Sequence, residues 1–349
     1  MKNKEVVRMH PKRWQDMREG TDYVFRDALA PAADVDIYMP VYNHAPYLRQ
    51  AIESVVAQKT RFRWRLVISE DCSTDDSLRI ISEYQSRYPD RIAAFFWRYN
   101  CGLRGLGSQR SAVVQRRLTA PYVATLEGDD YWTSPLKLER ALSFLEAHPD
   151  YSCFAHNIAF VDENGAYLHP VFRTYPSLRL REEHLFSIEN ALNGELISQT
   201  GSLVHRNFMA GWPEETWDRF CLYHGNRDLL RGSVCAILGK VYVSRDIMSH
   251  YRVSLRASSF TARTEFVNRE GMFYEIYRDL ALFLREAYGV DFPFQDRAQR
   301  LLRHSRYNLY RRFDAGNLGV YLRLLWRVRV CRARLGEGRK EIRYGAQLV

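Results

Sequence analysis

From Asp36 to Ala147 the chain alternates short apolar runs with longer amphipathic stretches, and that alternation restricts its fold more than any other feature. Asp36-Ile-Tyr-Met-Pro-Val-Tyr42 reads as a strand, and Pro46 to Gln58 as a helix with Leu48, Ile52, Val55 and Val56 along one side. Arg65 to Ser69 gives a second strand, and a second helix runs from about Thr74 to Tyr88. Ser73 and Thr74 are the expected caps of that helix, with Asp75 and Asp76 complementing its dipole. Ile92 to Trp97, Leu106 to Leu118, Pro121 to Leu126 and Pro135 to Ala147 continue as strand, helix, strand and helix. Such a succession predicts an α/β fold with a mainly parallel sheet covered on both faces. After Tyr151 the pattern changes, and Ser152 to Val161 and Ala166 to Phe172 flank Asp162-Glu-Asn-Gly165, a hairpin signal. Mixed short elements continue to Ser254. From Thr264 the chain reads as helical, with Phe266, Met272, Phe273, Ile276, Leu280 and Phe283 at helical spacing.

Ligands of open α/β sheets bind outside the carboxyl ends of the strands, which directs attention to the loops after the first, second and fourth strands. The first is Pro40-Val-Tyr-Asn43, where Tyr42 can face a base or ribose and Asn43 can tie the backbone; a turn that merely starts a helix is the plainer alternative. The second is Glu70-Asp71-Cys72-Ser73-Thr74-Asp75. Capping accounts for its last three residues but not for two adjacent acids after an apolar strand, and Asp71 can accept a hydrogen bond from a base N–H. The third is Leu126-Glu-Gly-Asp-Asp-Tyr-Trp132. Glu127 and Asp129 are two apart, so an extended chain points them to one face, and Asp130 follows at the turn. Gly128 would leave phosphates room to approach. Clustered carboxylate oxygens suit Mg²⁺ or Mn²⁺, whereas a purely structural acidic turn leaves three acids repelling one another. No G-x-G-x-x-G follows a strand and no G-x-x-x-x-G-K-[ST] is present, so dinucleotide oxidoreductases and P-loop nucleotidases are excluded.

Composition excludes other classes. At 46% hydrophobic and 26% charged residues the chain is that of a globular protein rather than a disordered one. No apolar stretch is long enough to span a bilayer, and Met1 to Arg18 lacks the apolar run of a secretory signal, so a cytoplasmic location is expected. The six cysteines are scattered without a C-x-x-C pair, which fits free thiols better than zinc or a disulfide framework.

Taken together, the three loops resemble those of family-2 glycosyltransferases of the GT-A fold, over about Asp36 to Tyr251. Ser69-Glu-Asp-Cys-Ser-Thr-Asp75 is similar to the family's DDxSTD segment, with Glu70 and Cys72 as departures. Glu127-Gly-Asp-Asp-Tyr-Trp-Thr-Ser-Pro-Leu-Lys-Leu138 resembles the metal motif of a bacterial EGDDYW subgroup over all twelve residues. Asp228, then Gly239-Lys240, Val241-Tyr-Val243 and His250-Tyr-Arg252, resemble the family's late segment. Arg227 stands there in place of the usual Gly or Glu, and Ser254 in place of a His.

The resemblance implies an inverting, metal-dependent transfer of a sugar from a nucleotide diphosphate, a UDP-sugar by preference, to an acceptor hydroxyl. The acceptor would be a glycan or lipid-linked glycan of bacterial surface polysaccharide or glycolipid synthesis. It assigns Asp228 as base, and Glu127, Asp129 and Asp130 as holders of Mn²⁺ or Mg²⁺. Pro40, Tyr42, Asn43, Asp71, Arg110 and Asp129 would contact the nucleotide-sugar, with Arg110 equally readable as a solvated helix residue. Trp132 reads either as the floor of a sugar site or as core. The expected division is an N-terminal extension (1–33), a GT-A domain (34–150 for the nucleotide-sugar, 151–260 for the acceptor) and a helical basic region (261–349). The rivals are a nucleotidyltransferase and a non-catalytic carbohydrate- or nucleotide-binding module.

The net charge of +10 is concentrated near the end: Arg297 to Arg343 carries thirteen Arg and one Lys against Asp314, Glu337 and Glu341. Between Leu318 and Leu335, Leu318, Tyr321, Leu322, Leu325 and Trp326 interleave with Arg323, Arg327, Arg329, Arg332 and Arg334. That composition suits an anionic membrane surface, which would place the protein peripherally on the cytoplasmic face of a membrane. Nucleic acid is not the expected partner, and a helix with solvated arginines stays open as the alternative.

Overall fold

The computed structural model describes residues 17, 22–28, 32–168, 185–223, 225–253, 269–311, 313 and 315–334. Most of the expected N-terminal extension, the continuation of the second hairpin arm to Phe172, Ser254, Phe266 and the segment beyond residue 334 lie outside these residues. The described chain opens with β1 (Tyr23–Arg26) and continues through β2 (Val35–Val41), α1 (Ala45–Val56), β3 (Trp64–Glu70) and α2 (Ser77–Arg87). Next come β4 (Ile92–Trp97), α3 (Gly107–Gln115), β5 (Tyr122–Thr125), β6 (Tyr131–Trp132) and α4 (Lys137–Ala147). All four predicted strands and all four predicted helices of this half are present, displaced by a few residues at their ends.

Strands β4, β3, β2 and β5 lie side by side and parallel, the block that the alternation predicts. Alternate residues of each strand serve opposite faces. Val35, Ile37 and Met39 of β2 join Leu48, Ile52 and Val55 of α1 and Leu142 and Leu145 of α4 in one apolar layer. Tyr38, Val67, Phe95 and Val123 join Val113 and Val114 of α3 in the other. Asp36, fully buried, is paired by Arg65: Nε donates to Oδ1 at 2.8 Å and Nη2 to Oδ2 at 3.0 Å. The two stand directly opposite in the β2–β3 register.

The second half extends the same sheet. It consists of β7 (Tyr151–Val161), β8 (Leu185–Phe186), α5 (Ile188–Leu192), β9 (Val204–Arg206), α6 (Glu214–Leu222), α7 (Arg227–Leu238) and β10 (Lys240–Arg252). The strand order is β1-β4-β3-β2-β5-β9-β7-β10-β6, with β8 beside β10. The predicted turn after β7 exists, with Asp162 Oδ1 accepting from the Asn164 and Ala166 N–H groups, but the long partner of β7 is β10, running parallel. Strand β10 then pairs Ser249 and His250 with Trp132 and Tyr131 of β6. This late return brings Arg252 to the acidic loop.

Three helices follow: α8 (Arg269–Tyr288), α9 (Phe294–Arg311) and α10 (Ala315–Arg334). Tyr274, Leu280, Phe283 and Leu284 of α8 share one apolar cluster with Trp217 and Phe220 of α6 and Leu229 and Leu230 of α7. Leu324 and Val328 of α10, which the tail pattern did not single out, are buried in this cluster, and Val320 packs against it. None of the helices among the described residues is long and apolar enough to cross a membrane.

One local expectation is corrected. Ser73 and Thr74 do not cap α2, whose N-cap is Asp76 without a side-chain bond. Their loop is instead tied to the preceding one: the Asn43 N–H donates to Ser73 Oγ (2.9 Å) and the Ala45 N–H to Asp75 Oδ2 (3.0 Å). Asn43 returns a bond by accepting the Thr74 N–H at Oδ1 (2.8 Å). Asn43 and Cys72 both take left-handed φ (55° and 58°), which turns the two loops toward each other.

Candidate active site

The carboxyl ends of β2, β3 and β5 meet at one place because their loops continue the sheet's hydrogen bonding. The Asp71 N–H donates to the Val41 carbonyl (2.9 Å), and the Gly128 N–H to the Pro40 carbonyl (3.2 Å). Pro40 is thus the hinge between strand and acidic loop, with Tyr42 and Asn43 just beyond it. Both are partly exposed.

The two acids after β3 have distinct surroundings. Glu70 is fully buried and accepts the N–H groups of Cys72 and Ser73 (3.2 and 2.6 Å); burial, the leading cause, pushes its proton affinity up. Asp71 accepts the Cys101 N–H at Oδ1 (2.8 Å) and the Gly102 N–H at Oδ2 (3.1 Å), and Nη1 of Arg110 lies 2.8 Å from Oδ2. Arg110 therefore reaches the loop after β3 from α3, and its Nε is buried without a partner.

Glu127, Asp129 and Asp130 each offer one carboxylate oxygen, and these oxygens lie within 4.8 Å of one another. They converge through a turn closed by the Asp130 N–H donating to the Glu127 carbonyl (3.1 Å), not through the extended chain that their spacing predicts. Gly128 also has a cause within the fold itself. A Cβ there would stand 2.8 Å from His44 Nδ1 and 2.9 Å from Val41 Cγ2, so glycine is needed for the close approach of the first loop.

Burial pushes Glu127 up to about 8, with the charges of Asp129 and then Asp228 adding to it and Arg231 opposing. Burial likewise pushes Asp130 well above the usual carboxylate range, reinforced by Asp129 and Glu127 and opposed by Arg252. Two buried acids whose proton affinity is raised by burial and by the neighbouring carboxylates are what a divalent cation relieves, and an all-oxygen donor set fits Mg²⁺ or Mn²⁺.

Residues far off in sequence complete the cluster. The Arg252 N–H donates to Asp130 Oδ1 (2.7 Å), while its guanidinium donates to the Asp129 carbonyl and to Gln50 Oε1 (2.9 Å). His44 Nε2 lies 3.7 Å from Asp129 Oδ2. Gln199 Nε2 donates to Glu127 Oε2 (3.2 Å) and Asp130 Oδ2 (3.0 Å). Asp228 sits in the first turn of α7, after the cap Asn226, with Arg231 3.4 Å away and its side chain 33% exposed. Its charge helps raise the proton affinity of Glu127. Trp132 is core: it is buried, and its Nε1–H donates to the Gly201 carbonyl (3.0 Å).

Sequence reasoning quoted Arg252 only within a motif, gave it no role, and missed Gln199, His44 and Arg231. Nothing in their local context sets them apart, since each gains its meaning from pairing across the sheet or packing beside it.

Comparison with known proteins relates the first part of the chain to a family. Residues 36–201 match the model of Glycosyl transferase family 2. An uncharacterized protein of Mycobacterium tuberculosis is 34% identical over 165 residues, covering 47% of this chain and 44% of that protein. TuaG of Bacillus subtilis, whose name assigns it to teichuronic acid biosynthesis, is 32% identical over 111 residues, covering 32% of this chain and 41% of its own. The chain thus spans less than half the length of these curated relatives. Among solved structures, S. aureus TarS in complex with UDP-GlcNAc superposes with a TM-score of 0.58 at 17% identity, over 84% of this chain and 80% of that one. That likeness is one of fold, the α/β architecture of GT-A glycosyltransferases. Residues 36–201, which hold the parallel block and the acidic loop, are thus similar to glycosyl transferase family 2, on the architecture of a GT-A fold.

Proposed function

We propose that this chain is an inverting glycosyltransferase that moves a sugar from a nucleotide diphosphate, UDP before other nucleotides, to a hydroxyl of a glycan or lipid-linked glycan. The observation that carries the reading is the convergence of Glu127, Asp129 and Asp130 at the carboxyl end of β5, within the residues similar to family 2. Asp129 and Asp130 would hold Mn²⁺ or Mg²⁺, with Glu127 in support. Such an ion, when bound, neutralises charge developing on the departing diphosphate.

Asp228 takes the proton of the acceptor hydroxyl. The acceptor oxygen bonds to the anomeric carbon as the bond to the diphosphate oxygen breaks on the opposite side, and the configuration inverts. A positioned base is worth about 10²–10⁴-fold. The partial exposure of Asp228 leaves it within reach of an acceptor. Tyr42 and Asp71 receive the base, Pro40 and Asn43 shape that loop, and Arg110 turns its remaining donors to the diphosphate. The UDP-GlcNAc bound by TarS supports a nucleotide-sugar donor, and the name of TuaG supports a surface polymer as product.

An acceptor carried on a lipid would suit the helices at the end of the chain. Tyr307, Tyr310 and Phe313 are exposed at the end of α9 and just beyond it, as are Leu322 and Trp326 on α10, among Arg303, Arg306 and Arg323. Exposed aromatic and basic side chains in one region favour peripheral contact with an anionic bilayer on its cytoplasmic face.

The test is a thermal-shift panel of UDP-, GDP-, dTDP- and CMP-sugars with and without Mn²⁺. Metal-dependent stabilisation by one nucleotide class, abolished by Asp129→Asn, is expected. A flat response from folded protein would favour a non-catalytic module instead. Asp228→Asn should lower turnover by about 10²–10⁴-fold while donor binding persists.

A further inference from the structure

The carboxamide of Gln199 stands between two of the three acids and is itself held from behind. Its one nitrogen has two hydrogens, and each has a carboxylate acceptor: Glu127 Oε2 at 3.2 Å and Asp130 Oδ2 at 3.0 Å. Its oxygen accepts the Gly201 N–H at 2.6 Å. A flip of the amide would set oxygen against two carboxylates and NH₂ against an N–H, so the network permits one orientation. The far side of Gly201 is equally engaged, since its carbonyl accepts Trp132 Nε1–H (3.0 Å) and the Lys137 ammonium. Lys137 is fully buried, with Nζ 4.1 Å from the centre of the Trp132 ring. A Cβ at position 201 would lie 2.9 Å from Gln199 Oε1, so a side chain there would displace the amide.

We propose that Gln199 is a positioning residue: its amide, locked by the Gly201 peptide with Lys137 and Trp132 behind it, fixes the Glu127 and Asp130 carboxylates in the orientation that receives a divalent cation. The inference rests on the reading of the acidic loop as a cation site. It adds that the site's affinity is set from outside the loop, by an amide 69 and 72 residues away in sequence. Groups that orient metal ligands in this way typically contribute 10–100-fold to metal affinity.

The experiment is a titration of the full chain with Mn²⁺ alone, following the EPR signal of the free ion. Wild type is compared with Gln199→Met, which keeps the length and removes the amide, and with Gly201→Ala, which displaces the amide and leaves all three acids intact. Gln199→Met should raise the Kd for Mn²⁺ by roughly 10–100-fold, and Gly201→Ala should raise it in the same direction. A role confined to folding would lower thermal stability in EDTA without changing the Kd of the folded protein. A folded Gln199→Met with the wild-type Kd overturns the proposal. Should that variant fail to fold, Gly201→Ala decides alone, and an unchanged Kd overturns it equally. Wild type that does not bind Mn²⁺ would instead overturn the cation site itself, and this inference with it.

Discussion

Replacing Glu127 by Gln should make the metal-free protein more stable and reduce the stability that metal adds. In the folded chain Glu127 titrates at about 8, against 4.5 for a free glutamate, chiefly because it is enclosed and faces Asp129 and Asp228. Between those pH values the unfolded chain has lost a proton that the native chain keeps. Folding stability is therefore whole below about pH 4.5, falls as pH rises, and levels off above about 8. At about 1.4 kcal/mol per tenfold change in proton affinity the full cost approaches 5 kcal/mol. Glu127 keeps a partly exposed edge, and solvent screening there brings the figure to ~2–3 kcal/mol. Glutamine has the same shape, can still accept the Gln199 bond, and carries no charge. Urea unfolding in EDTA at pH 8.5 should show Glu127→Gln more stable than wild type by ~2–3 kcal/mol, with the difference shrinking toward pH 5. Mn²⁺ at a hundred times its Kd should then stabilise wild type by about 2.7 kcal/mol and the variant by far less. A variant less stable than wild type in EDTA at pH 8.5 would refute the reasoning, because the carboxylate would then be stabilised by its neighbours rather than strained by them.

Gly128→Ala should cost about 1–3 kcal/mol in urea unfolding, since its methyl would press on His44 and Val41, and wild-type stability would show that the first loop yields freely. Asp36→Ala removes the main partner of the Arg65 guanidinium, which is 13% exposed and keeps Asp27 at 3.5 Å and the Arg117 carbonyl, and should cost about 2–4 kcal/mol. Asp36→Asn keeps an acceptor for the Ala120 N–H and should cost less. If the basic helices meet a bilayer, Arg303→Glu with Arg306→Glu should weaken flotation with phosphatidylserine vesicles and leave phosphatidylcholine controls unchanged. Equal flotation of variant and wild type would leave these arginines to solvent.

The sequence by itself determined the parallel block and where its loops would gather. Strand and helix periodicities are local, so β2 to β5 and α1 to α4 could be read within a few residues, and strand polarity alone puts Pro40, Asp71 and Glu127 at one edge. The acidic triad was legible for the same reason, because its three members are neighbours in the chain. The causes attached to them needed the structure: the acids meet through a turn, Gly128 admits His44 and Val41, and Ser73 ties two loops rather than capping a helix. Everything that acts on the triad from elsewhere was decided by tertiary structure. Gln199 comes from the connection between β8 and β9, and Arg252 from the end of a strand that reaches the loop only by pairing with β6 and β7. Such pairings cost chain entropy that no local pattern records, and they form only once the rest of the sheet repays it.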